Sequence, residues 1–199
     1  MTHTEHQVAG LLLAAGGGRR LGGRPKALLP HRGRPLVEHA VRALRAAGCT
    51  RVHVVLGAAA DAVQERARLD GCVPVVNPEW ERGMGGSLRA GLDSLAGTGA
   101  RAALVSLVDQ PGIGERALAR VLAAYEDESS LVSAAYEGTR GHPVLLGAAH
   151  WAGVAQAATG DRGARGYLKA HEAQIRLVEC GDVARPYDID TVDDLAHLE

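Results

Sequence analysis

Residues 11–30 read LLLAAGGGRRLGGRPKALLP: an apolar run opens into five glycines, three arginines and a lysine, then turns apolar again. A continuous apolar run is how a strand buried on both faces is written in a sequence. Glycine placed after it lets the backbone approach a ligand closely, and successive amides there form a nest for anions. Arginine adds forked charge that matches phosphate oxygens, and lysine adds a compact cation on a long stem. Strand, bare backbone and cations in that order predict a polyphosphate held beyond a strand's end. From the residues alone, a solvated turn whose charges maintain solubility competes evenly with that reading.

The same strand grammar recurs along the chain. VAGLLLAA (8–15), RVHVVLG (51–57), CVPVVN (72–77), AALVSLVD (102–109) and QIRLVEC (174–180) are short apolar runs separated by helical patterns. Leu36, Val37, Ala40, Val41, Leu44 and Ala47 repeat at helical spacing, with Gly48 behind them as a C-cap. Further helices are expected near 59–69, 84–96, 113–126 and 191–198. SLVSAAYEGTRGHPVLL (130–146) differs, because two strand-like runs flank a glycine-bearing turn, and it predicts a hairpin on the sheet's edge. The expected fold class is α/β: three layers around a mostly parallel, Rossmann-like central sheet with a small antiparallel hairpin region, in one domain spanning 1–199. Ligands of such sheets sit beyond the carboxyl ends of the strands, which directs attention to Gly16–Lys26, Asn77–Ser87 and Asp109–Pro111.

Composition narrows the setting. A formal net charge of −1 and 46% apolar residues recommend neither a nucleic-acid backbone nor an anionic membrane as partner. Cys49, Cys72 and Cys180 are odd in number and widely spaced, fitting neither a disulfide framework nor a zinc site. The opening MTHTEHQ lacks a signal-peptide pattern, and no run approaches the roughly 18 apolar residues of a membrane span. A soluble, cytoplasmic protein is expected. Phenylalanine is absent, so the core must be Leu, Val and Ala.

Two standard phosphate motifs fail. Gly18 to Gly23 has the spacing of a Walker loop, but Arg24 and Pro25 follow where Lys and Ser/Thr are required; Gly16 and Gly18 lead to Leu21 where a dinucleotide fingerprint needs glycine. LAAGGGRRLGGRPK (13–26) instead resembles the L-A-A-G-x-G-x-R-[LM]-G-x-x-x-K opening of GT-A-like nucleotidyltransferases. NPEWERGMGGSLRAGL (77–92), LVDQP (107–111), GHPVLL (141–146), GDRGAR (160–165) and DIDTVDDL (188–195) are similar to the branch acting on molybdenum cofactor, and within it most resemble the cytidylyltransferases.

That resemblance implies attack by an acceptor phosphate on the α-phosphorus of a nucleoside triphosphate, with Mg2+ as cofactor and pyrophosphate as leaving group. Its favoured form transfers CMP from CTP to molybdopterin. Transfer of GMP from GTP to molybdenum cofactor or to another phosphorylated acceptor is the alternative, and a non-catalytic cofactor carrier or chaperone for a molybdoenzyme is the alternative of another class. Transient contact with a molybdoenzyme or its chaperone would follow.

Arg20, Lys26 and Asp109 are implied as catalytic residues; Leu13, Ala14, Ala15, Gly16, Gly17, Gly18, Asn77, Gly86 and Ser87 join Arg20 and Lys26 in holding the nucleotide. Asp109 and Asp190 are the implied metal ligands, since magnesium prefers one or two carboxylates plus phosphates and water. Asp109 can alternatively cap a turn, and Asp190 can cap the last helix. Asp188, alternating with Asp190, joins Gly141, His142, Pro143, Asp161, Arg162 and Arg165 around the acceptor. Asp161 can also pair with neighbouring arginines. Arg19 reads as a solvent-facing charge, and Trp80 and Met84 as packing.

Overall fold

The computed structural model describes residues 7–198. The polar opening, apart from Gln7, lies outside them.

Seven strands form one sheet: β1 (Val8–Ala14), β4 (Val52–Leu56), β5 (Val73–Val76), β6 (Ala102–Leu107), β7 (Leu131–Tyr136), β8 (Thr139–Gly147) and β9 (Arg176–Glu179). A separate antiparallel pair, β2 (Pro30–His31) and β3 (Arg34–Pro35), was not legible in the sequence. Across the main sheet the order is β5-β4-β1-β6-β8-β7-β9. β8 is antiparallel to both its neighbours, and the remaining pairings are parallel. The hairpin is therefore not on the edge: β8 pairs with β6 as well as β7, and β9 closes that side. Hairpin chemistry specifies the turn but says nothing of which strand comes next to it.

Side chains of alternate residues define two cores, one on each face of the sheet. Val8, Leu12, Ala14, Val54, Leu56 and Leu104 pack beneath α1 (Leu36–Ala46) and α4 (Glu115–Leu122), with Val63 of α2 (Ala60–Arg66). Ala9, Leu11, Leu13, Val55 and Val105 pack on the opposite face beneath α3 (Met84–Ser94), α5 (Ala148–Ala157) and α6 (Arg165–Ala170). This is the expected three-layer architecture. A Cβ at Gly91 would lie 2.6 Å from Leu11 Cδ1, so glycine there sets how closely α3 approaches β1.

The sequence pattern does not predict α5 or α6. AAHWAGVAQA lacks a polar stripe, and α6 is only six residues long. The last segment, expected as a helix over 191–198, is a 3-10 turn, Asp193–Leu198. Thr191 N–H, Thr191 Oγ1–H and Asp190 N–H all donate to Asp194 Oδ2, so Asp194 does the capping.

Candidate active site

The loops after β1, β5 and β6 open together at the carboxyl edge of the sheet, around a cleft of about 660 Å³. The glycine loop is folded on itself: Gly18 C=O accepts from Leu21 N–H at 2.8 Å and Gly23 N–H at 3.0 Å. Gly18 has φ +61°, and a Cβ on it would strike the Arg24 carbonyl oxygen, so glycine is required. Arg24 Nε donates to Leu21 C=O at 3.0 Å, which commits that cation to the loop's own backbone. Among the described residues the N–H groups of Gly16, Gly17 and Gly18 donate to no protein acceptor.

Two distant segments meet on Lys26. Its Nζ donates to Asp109 Oδ2 at 2.7 Å and to Asp190 Oδ1 at 2.5 Å. Ile189 N–H donates to Asp109 C=O at 2.8 Å, which ties the 188–190 segment to the end of β6. Ile189 is fully buried while Asp188 and Asp190 line the cleft on either side of it, as the alternation predicts. Asp109 and Asp190 form their side-chain bonds with Lys26, and neither caps a turn. Burial opposes the Lys26 charge, but Asp109 and then Asp190 outweigh it and hold the ammonium's pKa above its ordinary value. Burial at the cleft edge pushes the Asp188 carboxyl up, Asp109 and Asp190 push the same way, and the Gln110 amide, donating at 2.8 Å, opposes them.

The opposite wall carries Arg140, Gly141 and His142 of β8 and Asp161, Arg162 and Arg165. Tyr136 O–H donates to His142 C=O at 2.7 Å. Desolvation pushes the His142 pKa down to about 4, Asp109 opposing and Arg165 assisting, so the imidazole is neutral at pH 7. Asp161 forms no salt bridge with either neighbouring arginine among the described residues.

Leu13, Ala15, Gly16, Gly18, Arg20, Lys26, Ser87, Asp109, Gly141, His142, Asp161, Arg162, Arg165, Asp188 and Asp190 all line this one cleft. Ala14, Gly17, Asn77, Gly86 and Pro143 do not. Ala14 points into the first core. Gly17 faces the Trp80 ring. Asn77 is spent on structure: Nδ2 donates to Ser87 Oγ at 3.0 Å, and Oδ1 accepts from Glu79 N–H at 3.0 Å. Gly86 lies against Asn77, and Pro143 is buried.

Arg19, Trp80, Met84, Gln110 and Arg140 also line the cleft, beside an apolar floor that includes Val105, Leu107, Val144 and Leu146. Arg19 faces the cleft as well as solvent. The floor's signal was present in the apolar runs, but only strand pairing shows that those strand ends lie side by side.

Two carboxylates converging on one cation are a donor set that suits a divalent ion shared with phosphates and water, so Asp109 and Asp190 fit that role. No group of three or more His, Cys, Asp or Glu side chains forms a closed metal cage among the described residues. No helix there is long and apolar enough to cross a membrane.

The sequence profile of the MobA-like NTP transferase domain matches residues 10–175. A Paenarthrobacter nicotinovorans protein named nicotine blue oxidoreductase is 43% identical over 198 residues, covering 96% of each chain. The molybdenum cofactor guanylyltransferase of Rhodobacter capsulatus is 32% identical over 205 residues, covering 97% of this chain and 95% of its own. Among solved structures, a Mycobacterium sp. strain JC1 homologue of a Mycobacterium tuberculosis protein superposes with a TM-score of 0.83 at 30% identity, covering 99% and 98% of the two chains. The Mycobacterium tuberculosis H37Rv protein, solved in complex with manganese, gives 0.78 at 28%, covering 96% and 97%.

Proposed function

The chain belongs to the MobA-like NTP transferase family, and from that premise we propose that this nucleotidyltransferase, acting as one domain in the cytoplasm, joins CMP from CTP to the phosphate of molybdopterin and releases pyrophosphate. The observation that carries the reading is the meeting of Lys26, Asp109 and Asp190 in the cleft lined by Gly16 and Gly18, whose amides donate to no protein acceptor among the described residues. Attack by an acceptor phosphate oxygen forms a bond to the α-phosphorus, the bond to the β-phosphate's bridging oxygen breaks, and that electron pair leaves on pyrophosphate. Such a transfer needs alignment and charge stabilisation more than covalent help. The Gly16–Gly18 amides, Arg20 and Lys26 hold the β- and γ-phosphates and receive the charge that develops on them. Arg162 and Arg165 orient the acceptor phosphate, and neutral His142 offers it a hydrogen bond without adding charge. Asp109 and Asp190 would hold Mg2+, which supplies neutralisation of the triphosphate's charge. A product made this way passes to a molybdoenzyme or its chaperone.

Pyrophosphate release, measured with each of the four nucleoside triphosphates with and without molybdopterin, tests the assignment. Release with CTP and the acceptor together is expected; release with GTP alone moves the base assignment to guanine, towards which the 32% identical relative points.

A second reading rests on the 43% identical relative, whose name is that of an oxidoreductase acting on nicotine blue. It is tested by following the absorbance of nicotine blue with NADH or NADPH. Redox turnover without nucleotidyl transfer would replace the transferase reading, although hydride transfer gives the Lys26, Asp109 and Asp190 cluster nothing to do.

A further inference from the structure

The Trp80 ring lies where two side chains are missing. A Cβ on Gly17 would sit 2.6 Å from Trp80 Cη2 and 2.8 Å from Cζ3, distances that real side chains do not adopt. A Cβ on Gly57, just beyond β4, would strike Trp80 Cβ and lie 2.6 Å from Cγ. The indole thus bridges the loop after β1 and the end of β4, while belonging to the loop after β5, and its exposed part faces the cleft.

Gly17 needs such a restraint. Glycine loses more backbone freedom on ordering than any other residue. Gly18 C=O is held by two amides and Gly16 C=O by Lys26 N–H at 3.4 Å, yet Gly17 makes no hydrogen bond through either backbone group among the described residues. What confines it is contact, with the indole on one side and Ala58 Cβ near its own missing Cβ, at 3.5 Å.

We propose that Trp80 is a positioning residue for phosphate binding, its ring filling the Gly17 and Gly57 gaps and so holding the amides of Gly16–Gly18 aligned. This rests on the reading that the glycine loop holds phosphate groups. The Trp80 ring and the absent Gly17 side chain are then two halves of one contact, and their substitutions must not act independently.

The test is calorimetric titration of inorganic pyrophosphate, and of CTP with magnesium, into the intact protein and its variants. Trp80→Ala is expected to weaken pyrophosphate binding about ten- to a hundredfold, about 1.4–2.8 kcal/mol at 1.4 kcal/mol per decade. Trp80→Phe, which keeps the Cβ and Cγ contact with Gly57 but lacks the outer ring edge that meets Gly17, is expected to recover only part of that loss. Gly17→Ala should lose as much as Trp80→Ala, and the double variant should be no worse than either. Wild-type affinity in Trp80→Ala, or losses that add in the double variant, would overturn the inference. If the wild-type protein binds neither pyrophosphate nor nucleotide, the phosphate reading itself falls and takes the inference with it.

A second measurement avoids any change at Trp80. The chain has two tryptophans. Trp151 does not itself line the cleft, although its Nε1–H donates at 2.9 Å to the C=O of Leu146, a floor residue, and Trp151→Phe leaves Trp80 as the sole indole. Pyrophosphate should shift the emission of that variant, and an unchanged spectrum at saturating pyrophosphate would refute contact between the ring and the occupied loop.

Discussion

Replacing Lys26 by methionine should make the nucleotide-free protein bind manganese more tightly while abolishing transfer. Lys26 Nζ holds Asp109 Oδ2 and Asp190 Oδ1, the oxygens proposed for the divalent ion, and its side chain is only 13% exposed. An arriving ion must therefore displace an ammonium. The Asp109 bond, with its acceptor 22% exposed, is worth about 1.5–3 kcal/mol as a charge-assisted hydrogen bond. Asp190 is 40% exposed, and solvent reduces its bond to about 0.5–1 kcal/mol. The sum, about 2–4 kcal/mol, corresponds to roughly 30- to 1,000-fold in affinity at 1.4 kcal/mol per decade. Titration calorimetry with MnCl2 and no nucleotide reads this directly. Lys26→Met should gain at least about tenfold on this scale, Lys26→Arg should gain nothing because the charge stays, and adding Asp109→Asn should cancel the gain. Manganese affinity unchanged or weaker in Lys26→Met would refute the argument, because Lys26 and the ion would then not compete for the same oxygens.

Two further outcomes follow from the geometry. Gly18→Ala, with φ +61° and its Cβ on the Arg24 carbonyl, should abolish pyrophosphate binding and lower Tm well beyond Gly23→Ala; the latter has φ +74° but open space, and should pay only about 1–2 kcal/mol, or roughly 2–8 °C. Equal effects in the two variants would show that the clash is relieved elsewhere. His53 supplies a pH dependence. Ser94 Oγ–H is used on Gly91 C=O, so His53 Nδ1–H donates to Ser94 Oγ at 2.8 Å and Nε2 is left buried with no hydrogen-bond partner among the described residues. Burial, then Arg51, lowers the folded-state pKa, so near and below the ordinary value of about 6.5 the unfolded chain takes up the proton first. Stability should be flat above that pH and fall as pH drops through it towards the folded value. His53→Leu should flatten this slope in thermal melts between pH 7 and 5; parallel slopes would exclude His53 as the source.

The parts of this molecule legible in the sequence are those dictated locally. Apolar runs announced the inner parallel strands β1, β4 and β6, because burial on both faces leaves little room for polar residues, whereas the edge strands β5 and β9 are largely exposed. Alternation put Asp188 and Asp190 on the cleft face and turned Ile189, between them in sequence, into the core. What was hidden depends on pairing between distant segments. Nothing near residues 130–146 states that β8 will insert beside β6 rather than stop at an edge. Gly17 looks like a ligand contact in a glycine-rich string, and only the Trp80 ring, from 63 residues away in the chain (80 − 17), shows what fills its missing side chain. Asn77 has a binding residue's chemistry but spends both ends of its amide on Ser87 and Glu79. Asp194 outcompetes Asp190 as a cap because Lys26 has already claimed Asp190.

The reversed strand has a consequence for how such proteins diversify. β8 pairs with β6 only from Val144 to Gly147, so Arg140, Gly141 and His142 extend as part of an arm beyond that pairing, hydrogen-bonded to β7 and not to the strand that delivers Asp109. The β8 part of the wall proposed to face the second substrate is thus attached at one end. Exchanging its outer residues, from Glu137 to Gly141, changes no residue of the glycine loop and neither Lys26 nor Asp109, and keeps His142, which Asp109 influences. Under the proposed acceptor role, exchanging this short hairpin tip should change acceptor preference while leaving pyrophosphate binding unchanged.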